Sequence, residues 1–286
     1  MTTVMSIRVY ERREVALVSS MPYHILENPD RAALMDARRI ARKVYARLFS
    51  PYDYSSHVFA LHEYRAIYIA VPKVANTSIK TALVPLMPDD VRSFEGDARG
   101  DRSIYGRHRD ELFSRSIRLY KHQIKRYPSY FKFAFVRNPW DRLVSCFRDK
   151  IEWGAVMESG RHNDPRKRRM YLGSGFTTDM TFDDFARKVA KTPDSRANRH
   201  FRSQHTFLTD RHGRLIPDFV GRFERLSEDF ARVMEHIGVS DVRLPHVRDS
   251  RGSRYREYYT SELVDLVARR YARDVDLFDY DFEGTT

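Results

Sequence analysis

Two kinds of hydrophobic pattern alternate along this chain. Short unbroken apolar runs read as buried strands: RAIYIAV at residues 65–71, FKFAFV at 131–136 and DFVGRF at 218–223. Between and after them, apolar residues recur at helical spacing. Leu34, Ala37, Ala41, Val44 and Leu48 share one face of a predicted helix over 28–49, with Asn28 as its cap and Pro29 at its first position. Residues 77–84 and 114–126 are also predicted helical. Leu143, Val144, Phe147 and Ile151 mark the apolar side of a helix after the second strand. Thr181 with Asp184 starts another, turning Phe182, Phe185 and Val189 inward. Ser227 to His236 forms a helix that Gly238 stops, and Thr260 caps a final helix striped by Leu263, Val267 and Tyr271. The polar stretches 89–110 and 158–175 read as surface loops, and long loops in compact domains are often functional.

Strands alternating with helices predict an α/β fold, a parallel sheet flanked by helices with additional helices at both ends. No linker divides the 286 residues, so one domain over 1–286 is expected, residues 1–60 being a helical N-terminal extension. In such sheets ligands bind at the carboxyl ends of the strands. The segments after Val71 and Val136 both leave such ends.

Charge narrows the class of partner. The formal net charge is +12, which draws anions: nucleic acid, acidic glycan, anionic lipid or a polyphosphate cofactor. Much of the excess is arginine, suited to bidentate recognition of phosphate, sulfate or carboxylate. No RNA-binding aromatic motif, zinc finger or helix-turn-helix signature is present, so nucleic acid is not the expected partner. Cys146 is the one cysteine, so no internal disulfide forms and no oxidising compartment is required. No His-Glu-x-x-His occurs, and no metal is expected. The N-terminal MTTVMSIRVYERREVALVSS is charged throughout, with no long apolar run, so no membrane span and a cytoplasmic location are expected.

The chemistry lies in the two strand-end loops. YIAVPKVANTSIKTAL, residues 68–83, is a strand, a tight loop and a helix start. A helix beginning near Thr77 offers free backbone N–H groups and the positive end of its dipole, from Ala75 onward. Thr77 and Ser78 add hydroxyls, and Lys73 adds a mobile charge. Asn76 tolerates a left-handed conformation, which would let the turn form without glycine. In FKFAFVRNPWDRLVSCFRDK, residues 131–150, Arg137 leaves a strand end. Ser145 follows two helical turns later, on a polar side shared with Arg142. An arginine at a strand end with a hydroxyl on the next helix is a second phosphate-binding arrangement.

Together the loops resemble those of the sulfotransferases, closest to the Golgi-type carbohydrate sulfotransferases of sulfotransferase family 2 and their bacterial relatives. That family's first loop reads Pro-Lys-x-x-x-Thr-Ser and its second Arg-x-Pro-x-x-Arg-Leu-x-Ser; PKVANTS and RNPWDRLVS meet both. The likeness continues at NRHFRSQ, residues 198–204, at GRFERLSEDF, 221–230, and near the C-terminus, so it covers a core over 65–282 in patches. The resemblance implies a P-loop-like fold and 3′-phosphoadenosine 5′-phosphosulfate (PAPS) as donor, with transfer of a sulfuryl group to a hydroxyl of a glycan acceptor. It implies that Lys73, Ala75, Asn76, Thr77 and Ser78 surround the 5′-phosphosulfate, while Arg137 and Ser145 hold the 3′-phosphate. Arg251 or Arg254 would close over that phosphate, although the local sequence departs from the usual Arg-Lys-Gly. For the general base His108 stands first, then His200, then His122; His200 and Arg202 are also candidates for acceptor contacts. The alternatives are a lipid, phenolic or small-molecule acceptor, a P-loop kinase, disfavoured by the missing Gly-Lys-Ser/Thr, and a non-catalytic polyanion binder.

Overall fold

A computed structural model describes residues 58–87, 118–119, 121–152, 175–244 and 254–284. The predicted extension over 1–60 therefore falls outside the described residues apart from its last three positions. So do the loop 89–110 and all of 158–175 except Gly175.

Five strands form one sheet in the order β3-β1-β2-β4-β5. β2 (Ala66–Ile69), β4 (Phe131–Val136) and β5 (Phe219–Arg222) are the three predicted strands and run parallel to one another. The expected parallel sheet flanked by helices is present, and two short strands extend it. β1 (Val58–Leu61) and β3 (Arg118–Leu119) add antiparallel pairs on one side, so the sheet is mixed. β1 is a four-residue apolar run without alternation, joined to β2 by a tight turn; it is too short to show a period. The helix predicted over 114–126 is corrected. Its described part is β3 followed by a 3₁₀ turn, Lys121–Arg126, that ends just before Pro128. That span leaves only six residues for a helix before the proline.

The helices follow the pattern closely. α1 (Asn76–Leu83) follows β2, and α2 (Pro139–Phe147) follows β4, with Pro139 at its first position and Asn138 as its cap. α3 (Phe182–Ala190) is capped by Thr181, whose Oγ accepts from the N–H of Asp184. A short α4 (His205–Leu208) precedes β5. α5 (Leu226–His236) ends where Gly238 takes a φ of +75°. The predicted final helix is two: α6 (Ser261–Arg270), capped by Thr260, and α7 (Ala272–Phe278), broken at Tyr271. No helix among the described residues is long and apolar enough to cross a membrane.

An aromatic row crosses the sheet on one face. Phe59, Tyr68, Phe133 and Phe219 occupy paired positions on β1, β2, β4 and β5. Tyr68 stacks on Phe133 at 5.3 Å and on Phe59 at 6.2 Å. Its hydroxyl passes the edge of this layer and donates to Asn76 Oδ1 at 3.2 Å. Core packing and the first strand-end loop are thus joined through one side chain. A second aromatic cluster, Phe147–Phe176–Phe182–Phe185–Phe201, ties α2 and α3 together.

Gly221 on β5 leaves no room for a side chain. A Cβ there would lie 2.5 Å from Phe135 Cε1 and 3.0 Å from Asp229 Cβ. Gly221→Ala is expected to destabilise the fold by about 1–3 kcal/mol through overpacking, read as a lower denaturant midpoint with unchanged slope.

Candidate functional site

Both predicted loops leave adjacent parallel strands, β2 and β4, at their carboxyl ends, so topology alone makes them neighbours. Hydrogen bonds then join them. Arg137 Nη1 donates to the carbonyl of Lys73 at 3.3 Å, and Arg142 Nε donates to the carbonyl of Pro72 at 2.9 Å. The first loop rests on two guanidinium groups supplied by the second.

The first loop is wound tightly. Lys73 and Ala75 take φ values of +72° and +58°, in the left-handed region that non-glycine residues seldom occupy. This corrects the expectation for Asn76: that residue is the first of α1, and Ala75 before it makes the left-handed turn. Asn76 is instead held by the Tyr68 hydroxyl. No side chain caps α1, whose backbone cycle begins with the N–H of Ile79 donating to Ala75. The N–H groups of its first turn are directed out of the helix start, where Thr77 is exposed and Ser78 half-buried. An uncapped helix start after two left-handed residues is a concave, positively polarised surface suited to an anion.

Arg137 is largely buried and already engaged. Its Nε pairs with Asp141 Oδ2 at 2.7 Å, and its guanidinium lies 4.0 Å from the centre of the Phe223 ring. Its peptide is held too. The Gln204 side chain accepts from Arg137 N–H at 3.0 Å and donates to Arg137 C=O at 2.8 Å. Gln204 N–H and His205 N–H in turn donate to the fully buried carboxylate of Asp274, which also accepts from His205 Nδ1 at 2.8 Å. Arg142 differs from the sequence reading: it does not share a polar face with Ser145 but is wholly buried, with its Nη2 unpartnered. Ser145 is half-buried on α2.

A second set of charges meets Lys73. Past Phe147 the helix widens into a π-helical turn, Arg148–Glu152. There Asp149 Oδ2 pairs with Lys73 Nζ at 3.0 Å and with Lys150 Nζ at 2.9 Å. Burial lowers the Lys73 pKa, and Asp149 works against that. Burial raises the Asp149 pKa, but Lys73 and Lys150 outweigh it and leave the carboxyl below its ordinary value. Cys146, buried beneath, has its thiol pushed up to about 11, chiefly by burial, so it is neutral and inert.

His200 belongs to the same group. Burial, then the charges of Lys150, Arg199 and Lys73, bring its pKa down to about 3. Asn198 Oδ1 accepts from both His200 N–H at 3.1 Å and Nδ1 at 2.7 Å. An oxygen that already accepts the backbone N–H requires the proton on Nδ1, so Nε2 carries the lone pair. Of the other predicted residues, Arg202 donates to Ala197 C=O within its own segment. Arg254 extends into solvent, 3.7 Å from Glu257. His122 lies in the 3₁₀ turn after β3. His108 and Arg251 lie outside the described residues. Asp149, Lys150, Gln204 and Asp274 were not singled out from the sequence. The first two lie four and five residues past the end of RNPWDRLVS, and Gln204 closes NRHFRSQ, so position near a motif was their signal. No group of residues among those described is arranged to hold a metal ion.

Residues 56–281 match the model of the Sulfotransferase family. The human protein named carbohydrate sulfotransferase 14 is 30% identical over 250 residues, 80% of this chain and 61% of its own length. Its zebrafish namesake is 27% identical over 246 residues, covering 80% of this chain and 64% of its own. Mouse carbohydrate sulfotransferase 11 is 24% identical over 250 residues, 82% of this chain and 68% of its own. The chain thus spans about three fifths of the human relative's length. No solved structure matches it significantly.

Gln204→Leu strips the partner from both peptide groups of Arg137. A loss of about 2–5 kcal/mol is expected from two buried unpaired groups, measured by denaturant unfolding.

Proposed function

Because the chain belongs to the Sulfotransferase family, we propose that it moves a sulfuryl group from PAPS to a hydroxyl of a carbohydrate acceptor. The observation that carries this reading is the joined pair of strand-end loops, with Lys73 at the uncapped start of α1 and Arg137 bonded to its carbonyl. The relatives named above, carbohydrate sulfotransferases 14 and 11, support the class of acceptor. The residues fit an anionic nucleotide: an open helix start, two hydroxyls, a buried arginine and a surplus of cations.

The bound donor supplies the sulfuryl group; the chain supplies position and charge. The first-turn N–H groups of α1, with Thr77 and Ser78, hold the 5′-phosphate. Lys73 stabilises negative charge growing on the bridging oxygen as the nucleotide leaves, a role that needs its ammonium protonated. Ser145 and the Nη2 end of Arg137 hold the 3′-phosphate, Nε and Nη1 being engaged internally. Arg251 and Arg254 are the candidates for closing over it. We assign the base to His200 in preference to His108, because His200 lies within the charge group of Lys73 and presents Nε2. Its imidazole is neutral across the physiological range. Burial does most to depress its pKa and nearby cations add to it; an anionic donor offsets the cations' share, so donor binding raises its basicity when the acceptor must lose its proton. Arg202 and the surrounding segment line the acceptor side.

Incubation with labelled PAPS and a panel of glycans, lipids and phenols tests the reaction. Label is expected in a glycan; transfer to none of the panel would overturn the reading. Lys73→Ala is expected to lower turnover by roughly 10²–10³-fold, and His200→Ala by roughly 10²–10⁴-fold. Near-normal turnover in either variant would remove that residue from its role. Calorimetry separates the phosphates. Ser145→Ala is expected to weaken binding of 3′,5′-diphosphoadenosine while sparing 5′-AMP. Arg137→Ala is expected to weaken both nucleotides, since it also releases Lys73.

A further inference from the structure

Asn198 has no part in the roles assigned so far, yet the turn that carries His200 is built on it. Between α3 and α4 the chain has no helix or strand, so individual hydrogen bonds fix what this segment carries. The Asn198 carbonyl accepts from the N–H of Phe201 at 3.1 Å and of Arg202 at 2.9 Å. Its side-chain oxygen accepts from the N–H of His200 at 3.1 Å and from His200 Nδ1 at 2.7 Å. The backbone bond settles which end of the amide faces His200, because the amide nitrogen has no acceptor site. The ring bond then settles both the rotation of the imidazole and the position of its proton. The ends of the segment are tied separately. Ser203 N–H donates to Asp194 Oδ1 at 3.0 Å, and Arg270 bridges the two residues. The grip on the ring can therefore be released without opening the segment. This grip has a chemical consequence. A neutral imidazole in water carries its proton mostly on Nε2, which leaves no lone pair there for a base.

We propose that Asn198 is the positioning residue of the base: it holds the His200 proton on Nδ1 and so keeps the lone pair on Nε2 for the acceptor hydroxyl. This rests on the assignment of the base to His200. The acceptor's proton passes to Nε2. The electron pair left on the acceptor oxygen forms the new bond to sulfur, and the pair of the breaking bond stays on the bridging oxygen, as part of the nucleotide's 5′-phosphate. The Nδ1–H remains bonded to Asn198 while the ring becomes positive. An amide suits this task better than a carboxylate. It orients the ring without adding a negative charge, which would favour the imidazolium and use up the lone pair before the acceptor arrives. The charged groups facing the ring are Lys150 and Asp149 from the π-helical turn, Lys73 from the first loop and Arg199 from its own segment. Burial first, and then the three cations, keep the resting ring neutral.

Nitrogen NMR of the protein labelled at histidine, with His200→Ala to assign the signal, reads the tautomer directly. The unaltered protein is expected to carry the His200 proton on Nδ1, and Asn198→Ala to move it wholly or partly to Nε2. A proton on Nε2 in the unaltered protein, or one that stays on Nδ1 in Asn198→Ala, would overturn the proposal. Turnover gives the second test. Asn198→Ala is expected to lower kcat by roughly 10- to 10²-fold, less than loss of the base itself, with KM for PAPS within about twofold. In a His200→Ala background the same change is expected to alter the residual rate by less than about twofold. An undiminished kcat in Asn198→Ala, or an equal loss with and without His200, would overturn the proposal. Asn198→Asp keeps an oxygen for both N–H groups and adds charge. Its carboxylate raises the His200 pKa, so the acidic limb of the kcat profile is expected to move to higher pH by roughly one unit or more. A limb that stays in place in Asn198→Asp would likewise count against the proposal. The tautomer measurement needs no donor, so its failure is distinct from a failure of the unaltered protein to transfer label, which overturns the donor reading.

Discussion

Arg137 is the joint on which the site depends. One guanidinium meets a carboxylate on α2, an aromatic ring from the end of β5 and the backbone of the other strand-end loop. Parallel pairing of β2 and β4 brings the loops side by side, but pairing stops at the strand ends and leaves their relative position soft. Arg137, with Arg142 beneath it, removes that freedom. Ligand contacts on two separate loops then need no ordering at the moment of binding, which is where affinity is otherwise lost.

The support extends well away from the loops. Asp274, on the last helix, holds the backbone at Gln204 and His205, and Gln204 holds the peptide of Arg137. The same helical region grips the segment carrying His200: Arg270 bonds Ser203 and Asp194, and the Tyr271 hydroxyl bonds Phe201 C=O. Residues more than a hundred positions apart therefore fix one corner. The C-terminal helices matter to the site through hydrogen bonds to backbone groups, with no need to touch a ligand themselves.

Much of this was legible in the sequence, because the signals are local. Apolar runs located the parallel strands, Thr181 and Thr260 marked caps, and the spacing inside PKVANTS and RNPWDRLVS placed the two loops. What escaped was non-local or fine-grained. β1 gains its strand character from pairing with β2, and β3 from pairing with β1, and a run of four apolar residues carries no period. Arg142 read as polar surface because arginine usually is, whereas its position beneath Pro72 turns it inward. The meeting of Lys73 with Asp149 joins residues far apart in sequence, which nothing in local composition announces.

The left-handed backbone at Lys73 and Ala75 restricts what this loop can become. Each residue sits in a conformation that costs roughly 1–2 kcal/mol for a side chain bearing a Cβ. At position 75 glycine, asparagine or aspartate can follow the same path, whereas valine, isoleucine and threonine crowd their own backbone. At position 73 that relief is closed, because the residue best suited to the geometry has no amine to offer. The loop is thus held in tension between conformational ease and chemical need, and drift among descendants should collect at the alanine and spare the lysine.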